Sequence, residues 1–457
     1  MTVPGVPEII KEFFNIDGNN ILLVKGDAGT GKTIFSFECL INLAEKSCGF
    51  YFSTRVDPEV IFKQYPHISK YLSLQNVIDA TSSYSPQKSN IHEAILFSTI
   101  PEFLRELYIK TSHVKSRKEP FIVIDSIDAV CETLNVSVST FMRDFADFIR
   151  KTKAKAIVVT EQPGKTKLDY LADGVINLAC MLINGRVYRE MHIEKLRAIK
   201  IQNPVIPFTL VGGRFTVAHQ TVIPSLEDAI YRLKEFSNEI ARIKSAMDQP
   251  ATNFLISEKI SGKLQPGDFI LWEVEETTPK TIAVLATLRA AVGLATKNFN
   301  VVQIPPSYVY SEDLPEIYQK ILGENADKIK VLIPNENFIK IFEKTLLDIL
   351  ETIHGNGRKS IIMFSLDALE SSFEAEKAKY IANILVSEGK KNKDIVLAIA
   401  YEDLKSLPSL RKQADKVFKT FYRDGCHFIY GVQPKTPIYN LYFTSETKYF
   451  TEVLEVA

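Results

Sequence analysis

One stretch near the amino terminus has the residue types and spacing of a phosphate-binding loop. The sequence "GDAGTGKT", residues 26–33, fits G-x-x-x-x-G-K-[ST] and lies between a short apolar run and a helical pattern. Small residues let successive backbone N–H groups form a concave nest around phosphate oxygens, and a helix start adds further N–H groups and a positive dipole end. The sequence therefore predicts a nucleotide site. The expected binding residues are Gly26, Asp27, Ala28, Gly29, Thr30, Gly31, Lys32, Thr33 and Ile34.

Three side chains are expected to do chemistry at this loop. Lys32 should reach the β- and γ-phosphates and act in any catalysis, and the Thr33 hydroxyl should ligate Mg²⁺. Asp125 closes the apolar run "PFIVID" (120–125), at the carboxyl end of a predicted strand, where a second carboxylate would hold the water shell of the metal. ATP and Mg²⁺ are thus the expected ligands. Asp128, one helical turn further on, is expected to be structural.

The elements that must position these residues follow from the hydrophobic pattern. Short apolar runs, as expected of strands buried on both faces, alternate with amphipathic stretches through the first 220 residues. The predicted strands are 19–26, 49–54, 120–125 and 155–162, and the predicted helices are 32–45, around 57–65 and around 91–110. This alternation predicts an α/β fold with a mainly parallel central sheet flanked by helices.

The same order of patterns returns after residue 251. The segment "GDFILWEVEETTPKTIA" (267–283) parallels residues 19–35, and "IIMFSLDAL" (361–369) parallels "IVIDSIDAV" (122–130). Three further segments match in the same order, at 394–403, 413–418 and 426–432. Several matches in order at nearly constant offset indicate a duplicated domain.

The second copy lacks three parts of the nucleotide site. Val274 and Pro279 stand at the two glycine positions, and proline removes a backbone donor from the nest. Glu275 and Glu276 add negative charge where phosphates would lie. By this alignment Phe364 replaces the metal aspartate, and Tyr430-Gly431-Val432 replaces Lys195-Leu196-Arg197. The second copy is therefore predicted to be degenerate, with Lys280-Thr281 retained as a relic.

A helical pattern separates the copies. Apolar residues recur at steps of three and four through 224–250, which predicts a linker helix packed on a domain or, alternatively, a coiled-coil or subunit contact. The predicted organisation is a nucleotide-binding domain at 1–223, the linker helix at 224–250, and the degenerate domain at 251–457.

The composition excludes several classes of function. Lys+Arg and Asp+Glu number 55 each, so no overall positive field indicates binding to nucleic acid or an anionic membrane. The five cysteines show no C-x-x-C spacing and lie in apolar surroundings, which predicts buried thiols in a reducing compartment. No apolar run reaches the length of a membrane span. We therefore expect a cytoplasmic protein.

The motifs resemble a known family. "GDAGTGKT", "VIDSIDAV", "TEQP…YLADGVINL" and "HIEKLRA…PVIPF" resemble the KaiC-like branch of the RecA superfamily of ATPases, and "YFSTRVDPE" (51–59) most resembles archaeal gas-vesicle-regulator D-type (GvpD-like) P-loop proteins. The resemblance implies tandem RecA/KaiC-like domains that assemble into rings with nucleotide between neighbours. It also implies that Lys195 and Arg197 reach the γ-phosphate of a neighbouring site. The alternative for these two residues is a solvated charge pair on a strand.

One departure from the family bears on hydrolysis. KaiC-like ATPases carry adjacent glutamates after the second strand, and these activate the attacking water; Arg55 and Val56 occupy the aligned positions here. A general base must lie about 3 Å from the proton that it takes, and neither residue can serve. Asp57, Glu59 or Glu161 could substitute, although the sequence does not place them.

Two functions are therefore compatible with the sequence. The first is an ATP-dependent regulatory or assembly switch with weak or absent hydrolysis, acting as a homo-oligomer or on a protein partner. The alternative is an active RecA-like ATPase motor or remodeller of nucleic acid or protein. The neutral net charge argues against a path for DNA. A purely structural scaffold is hard to reconcile with an intact phosphate loop.

Overall fold

The computed structural model describes residues 5–16, 20–44, 48–79, 99–112, 119–162, 164–221, 225, 228, 231–235, 237–238, 258–307, 313–334, 342–355, 359–442 and 452–456. The chain divides into two compact units, Met1–Ala218 with the last two residues, and His219–Glu455. How far each predicted domain extends as an independent folding unit stays a prediction.

Most of the predicted linker helix, 224–250, lies outside the described residues, as does 91–98 of another predicted helix. Within the linker, 231–235 and 237–238 are helical, and the Asp228 N–H donates to Ser225 Oγ at 3.2 Å. Leu233 is buried in the core of the second unit, and the Ser237 and Thr296 hydroxyls are hydrogen-bonded at 3.0 Å. These are the contacts of a helix packed on the second unit.

The first unit is built on a mixed sheet whose described strands follow the order β3-β2-β4-β5-β1-β6-β7-β8-β9. The pairs from β3 to β6 are parallel, and β6 to β9 form an antiparallel meander. The strands are β1 Ile21–Lys25, β2 Gly49–Ser53, β3 Val77–Asp79, β4 Phe121–Asp125, β5 Lys155–Val159, β6 Gly174–Ile183, β7 Arg186–Leu196, β8 Val205–Thr209 and β9 Thr216–Val217.

Helices cover both faces of this sheet, because successive residues of each strand point to opposite faces and both sets are apolar. Tyr51 packs in the core layer on one face, and Phe50 and Phe52 pack in the layer on the other. The helices are α1 Glu8–Asn15, α2 Lys32–Leu43, α3 Pro58–Gln64, α4 Ile100–Ser112, α5 Ile127–Leu134, α6 Val138–Thr152 and α7 Leu168–Leu171, with 3₁₀ turns at Pro66–Lys70, Leu74–Asn76 and Val211–Gly213.

The second unit repeats this architecture strand for strand. Its described strands follow the order β12-β11-β13-β14-β10-β15-β16-β17-β18, which is the order of the first sheet with each number raised by nine. They are β10 Phe269–Val274, β11 Asn300–Ile304, β12 Ile329–Val331, β13 Ser360–Ser365, β14 Ile395–Tyr401, β15 Lys416–Arg423, β16 Cys426–Gln433, β17 Ile438–Tyr442 and β18 Glu452–Val456. The helices are α8 Glu258–Ser261, α9 Lys280–Thr296, α10 Leu314–Leu322, α11 Phe342–Gly355, α12 Leu366–Ser372, α13 Ala375–Asn392 and α14 Leu407–Arg411, with a 3₁₀ turn at Gly323–Lys328. The predicted fold class, tandem α/β domains with mainly parallel sheets, is confirmed.

Equivalent residues in the two units make equivalent contacts. Asp173 accepts a hydrogen bond from the Ile21 N–H at 3.2 Å, and Asp415 accepts one from the Phe269 N–H at 2.8 Å. In both units the aspartate N–H donates in return to the carbonyl of the same partner. The aspartate of "LADGVI" and "QADKVF" therefore ties the first strand of each sheet to the sixth.

The structure corrects the sequence alignment at one pair of strands. A register shift follows Val175 in β6 and the equivalent Val417 in β15, and these residues pair with Lys195 and Gln433. Lys195 therefore corresponds to Gln433, not to Tyr430 as the sequence alignment had it. Cys426–Gly431 of β16 are buried at every position, so no alternation of polar and apolar residues marked the register of this strand, and the sequence match placed it three residues off.

The described helices include none that is long and apolar enough to cross a membrane. Four of the cysteines are buried free thiols as predicted, whereas Cys180 on β6 is exposed, contrary to prediction.

Candidate functional site

The phosphate-binding loop connects β1 to α2, and its geometry requires glycine. Gly26, Gly29 and Gly31 have φ angles of 144°, 79° and 104°, in the region that L side chains rarely adopt. A Cβ atom on Gly26 would lie 2.4 Å from the Leu178 carbonyl oxygen, and one on Gly31 would lie 2.6 Å from Leu210 Cδ1. The loop therefore passes closely over β6 and the end of β8, where no side chain fits.

Lys32, the first residue of α2, is folded back over this loop. Its Nζ donates to the carbonyl oxygens of Gly26 at 2.6 Å and Asp27 at 2.8 Å. Burial lowers the pKa of Lys32, and the Glu161 carboxylate opposes that shift. The ammonium group is thus held at the centre of the loop by two carbonyl oxygens. It can exchange these acceptors for phosphate oxygens when a nucleotide binds.

The two predicted magnesium ligands are in direct contact. The Thr33 hydroxyl donates to Asp125 Oδ2 at 2.6 Å, and the Tyr51 hydroxyl donates to the same oxygen at 2.7 Å. A hydroxyl and a carboxylate are the hard oxygen donors that Mg²⁺ prefers, and such sites usually take few protein ligands, with waters and phosphates supplying the rest. The described residues contain no cluster of three or more His, Cys, Asp or Glu that could hold a metal.

Tyr51 is a residue of this site that sequence reasoning missed. Its phenol is buried, and burial together with the nearby Asp125 carboxylate raises the pKa of Tyr51 well above its usual value. The phenol therefore stays a hydrogen-bond donor and fixes the orientation of Asp125. No motif marks it in the sequence. The available signal was a tyrosine on β2, the strand paired with β4, near the end that carries Asp125.

The structure brings Arg55 and Glu161 together. Arg55 Nη2 donates to Glu161 Oε2 at 2.9 Å, and Nη1 donates to Oε1. The loop that carries Glu161 is fixed by Asp128, whose Oδ2 accepts from the Glu161 N–H at 2.8 Å and from the Thr160 hydroxyl at 2.9 Å. Asp128 thus makes structural contacts, while Glu161 lies within electrostatic range of Lys32.

Asp57 is placed differently. It is the N-cap of α3, and its Oδ1 accepts from the Glu59 N–H at 2.8 Å. This contact satisfies a free N–H at the start of the helix. The structure therefore gives Asp57 a capping contact, and a catalytic role for it stays a prediction.

Lys195 and Arg197 lie at the end of β7. Lys195 Nζ donates to the carbonyl oxygens of Asp169 at 2.9 Å and Ala172 at 2.6 Å. Arg197 is 68% exposed and pairs with Asp173 at 2.6 Å. Lys195 is thus engaged within its own unit, and Arg197 is the more accessible of the two cations. A further cation, Arg189 on β7, donates to the Gly29 carbonyl of the loop at 3.0 Å, a contact that no sequence signal indicated.

The corresponding place in the second unit has no such loop. The Glu275 N–H donates to the Thr420 carbonyl at 3.0 Å, and the Thr278 N–H donates to the Glu275 carbonyl at 2.9 Å. Thr420 on β15 is the counterpart of Leu178 on β6. The turn of the second unit is therefore hydrogen-bonded to the strand equivalent to the one that the glycine loop passes closely in the first unit. Burial and the nearby Glu402 carboxylate raise the pKa of Glu275. Each ionised glutamate would cost roughly 4 kcal/mol beside a phosphate charge 4 Å away at an effective dielectric near 20.

A parallel sheet with a glycine-rich loop after its first strand, and an aspartate at the end of a neighbouring strand, defines a P-loop nucleotide-binding domain of the RecA type. Comparison with known proteins agrees with that class. Residues 10–194 match the family model of the P-loop domain of the gas vesicle protein GvpD. The resemblance indicated by the motifs is confirmed: the first unit carries a GvpD-like P-loop domain.

Three curated relatives are similar to the chain. GvpD1 of Halobacterium salinarum is 28% identical over 221 residues, 46% of this chain and 40% of GvpD1. GvpD2 of the same organism is 29% identical over 220 residues, 46% of this chain and 43% of GvpD2. The UPF0273 protein SSO1861 of Saccharolobus solfataricus is 21% identical over 280 residues, 57% of this chain and 96% of that protein. The chain thus spans less than half the length of the GvpD relatives.

Proposed function

We propose that this protein is an ATP-dependent regulatory or assembly switch, in which ATP and Mg²⁺ bind to the first unit and hydrolysis is slow or absent. The observation that carries the proposal is the pairing of Thr33 with Asp125 at 2.6 Å beside an intact glycine loop. These groups form the metal-binding half of a P-loop site, and Lys32 supplies the phosphate-binding half.

Slow hydrolysis is supported by the groups at the end of β2. Arg55 stands where relatives of the KaiC type carry glutamates, and it neutralises Glu161, a carboxylate that could serve as a base. A base that is engaged by a guanidinium accepts a proton poorly. Hydrolysis would therefore need this pair to separate.

The resemblance to gas-vesicle-regulator P-loop proteins supports a regulatory role, and the free thiols support a location in the cytoplasm. The proposed partner is a second copy of the chain or another protein. The other function compatible with the sequence, a motor or remodeller, requires rapid turnover. The two are distinguished by a single set of measurements.

The test compares Lys32→Ala with Lys280→Ala, its positional match in the second unit. ATP affinity is measured by calorimetry with Mg²⁺, and turnover by phosphate release. We expect Lys32→Ala to weaken ATP binding at least about tenfold, since hydrogen bonds to charged groups contribute about 1.5–3 kcal/mol, while Lys280→Ala leaves the affinity unchanged. We expect turnover below about 0.1 per second, under the common range of about 1–1000 per second.

Two results would contradict the proposal. Equal affinity of the wild type and Lys32→Ala would remove the nucleotide site from the first unit. Turnover of several per second, lost in Asp57→Ala or Glu161→Gln, would support the motor and identify its base.

A further inference from the structure

An exposed ion pair stands at the carboxyl edge of the first sheet. Arg55 follows the end of β2 and Glu161 follows the end of β5, and their side chains are 51% and 40% exposed. The guanidinium engages both carboxylate oxygens, with Nη2 to Oε2 at 2.9 Å. The pair thus combines the strongest geometry of an ion pair with free access to solvent.

The backbone on each side of the pair is fixed. Before Arg55, the Thr54 N–H and hydroxyl both donate to the Asp125 carbonyl, at 3.0 Å and 2.9 Å. At the other end, the Glu161 N–H is held by Asp128 at 2.8 Å. The two charged heads can therefore change partners by side-chain rotation alone, without movement of the strands.

The pair lies beside the phosphate-binding loop. Glu161 follows Thr160, whose N–H donates at 3.0 Å to the carbonyl of Val24, two residues before the loop glycine Gly26. Arg55 follows Thr54, which is bonded to Asp125, so both charged heads stand at the edge of the sheet where the terminal phosphates would bind. A γ-phosphate there would repel the carboxylate and attract the guanidinium, whose planar fork fits phosphate as well as carboxylate.

We propose that Arg55 and Glu161 form an exchange pair that distinguishes a nucleoside triphosphate from a diphosphate. With a triphosphate bound, the Arg55 guanidinium leaves Glu161 and binds the γ-phosphate, and the Glu161 carboxylate turns to solvent. With a diphosphate the ion pair stays closed. The proposal rests on the function proposed above, since it assumes that the first unit binds ATP, and it adds the group that reads the terminal phosphate.

The experiment measures the affinity of the full-length chain for the non-hydrolysable triphosphate AMP-PNP and for ADP, each with Mg²⁺, by calorimetry. We expect Arg55→Ala to weaken AMP-PNP binding about tenfold or more, because hydrogen bonds to charged groups are lost, and to change ADP binding less than about twofold. Arg55→Lys keeps the charge but loses the planar fork, so its preference for the triphosphate should be intermediate.

Glu161→Gln tests the other half of the pair. Removing its charge frees Arg55 and removes the repulsion, so AMP-PNP should bind about two- to fivefold more tightly, while ADP binding stays unchanged. A matched control is Arg150→Ala. Arg150 is likewise exposed and paired with an aspartate, Asp147, but it lies near the end of α6, where the chain enters the amino end of β5. This variant should leave both affinities unchanged.

The possible outcomes separate failure of the exchange pair from failure of the proposed function. Equal loss of both nucleotides in Arg55→Ala, or no loss of either, overturns the exchange pair while leaving ATP binding in place. Unchanged AMP-PNP affinity in Glu161→Gln overturns it as well. Failure of the wild type to bind either nucleotide, or binding by Lys32→Ala as tight as the wild type, overturns the proposed function and the exchange pair together. Thermal melts of each variant show whether a loss comes from misfolding.

Discussion

At the scale of single residues, Asp125 is the point where the candidate site is assembled. One of its carboxylate oxygens accepts from both Thr33 and Tyr51, and its backbone carbonyl accepts from Thr54. The residue therefore links the start of α2 to the ends of β2 and β4. Its charge would act on the metal, and its main chain holds the strand end that precedes Arg55.

Asp125→Asn separates these two roles, since the amide keeps the shape and removes the charge. We expect ATP affinity in Mg²⁺ to fall about tenfold or more, because hydrogen bonds to charged groups contribute about 1.5–3 kcal/mol, with little change when Mg²⁺ is chelated. Calorimetry with and without the metal measures the difference. Asp128→Asn is the control: it should lower the melting temperature and keep the dependence on metal. If Asp125→Asn binds ATP with unaltered dependence on Mg²⁺, the metal role is wrong.

The sequence predicted those site residues that belong to a short local motif or lie at the end of an apolar strand. The loop glycines, Lys32 and Thr33 follow from one motif, and Asp125 follows from its place at the end of an apolar strand. Tyr51 and Arg189 reach the same place from other strands. Their contacts depend on which strands are neighbours, and strand order is not a local property of the sequence.

At the scale of elements, the two units hold equivalent helices with ion pairs of opposite polarity. In the first unit Lys25, fully buried at the end of β1, pairs with Asp169 of α7 at 3.1 Å and with Glu194 at 2.7 Å. At the matched position of β10 stands Glu273, also fully buried, which pairs with Arg411 of α14. The register of the paired strands matches Lys25 with Glu273, and counting back from the shared aspartates of "LADGVI" and "QADKVF" matches Asp169 with Arg411 without a gap. In both units an ion pair attaches this helix to the first strand, but the positive and negative residues have changed places.

This inversion predicts that charge can be exchanged in the second unit. Glu273→Lys alone should lower the free energy of unfolding by about 3–5 kcal/mol, because a buried charge loses its partner. Adding Arg411→Asp and Lys419→Asn supplies the counterparts of Asp169 and Asn177, though not of Glu194, whose matched position is Val432, and should recover part of the loss. Urea unfolding followed by fluorescence measures both, since Trp272, the single tryptophan of the chain, lies next to Glu273.

Arg411→Asp alone is the control for this prediction. It leaves Glu273 facing a second carboxylate and should destabilise the unit, although Arg411 is 46% exposed. A triple variant no more stable than Glu273→Lys would show that the two pairs are not equivalent. The sequence alignment matched Lys25 with Glu273 but did not extend to Asp169 and Arg411, and it could not show which side chains meet across the sheet.

At the scale of the whole molecule, the chain contains two copies of one architecture and one complete phosphate loop. If the proposed switch acts through assembly, the bound nucleotide must also be contacted by a residue of a neighbouring copy. Arg197 is the exposed cation that the resemblance assigns to a neighbouring site, whereas Lys195 is engaged by carbonyls of its own unit. We therefore expect any contact in trans to be made by Arg197.

We expect the molar mass measured by light scattering to rise with ATP and Mg²⁺ for the wild type and to stay constant for Lys32→Ala. Arg197→Ala should reduce the ATP-dependent rise, because its charge is lost from the contact with phosphate. Lys200→Ala, the change of a nearby exposed cation, should behave as the wild type. A mass that stays that of a monomer with and without ATP would remove both the assembly switch and the role of Arg197 in trans.

The turn that replaces the loop in the second unit, bonded to Thr420 through Glu275, also sets a limit on cooperativity. If, as proposed, the first unit holds the one nucleotide site of each polypeptide, two nucleotides cannot influence one another within a chain. Binding to isolated chains would then follow a simple hyperbola, and any Hill coefficient above one would have to arise between chains. The shape of the binding curve therefore reports on assembly directly.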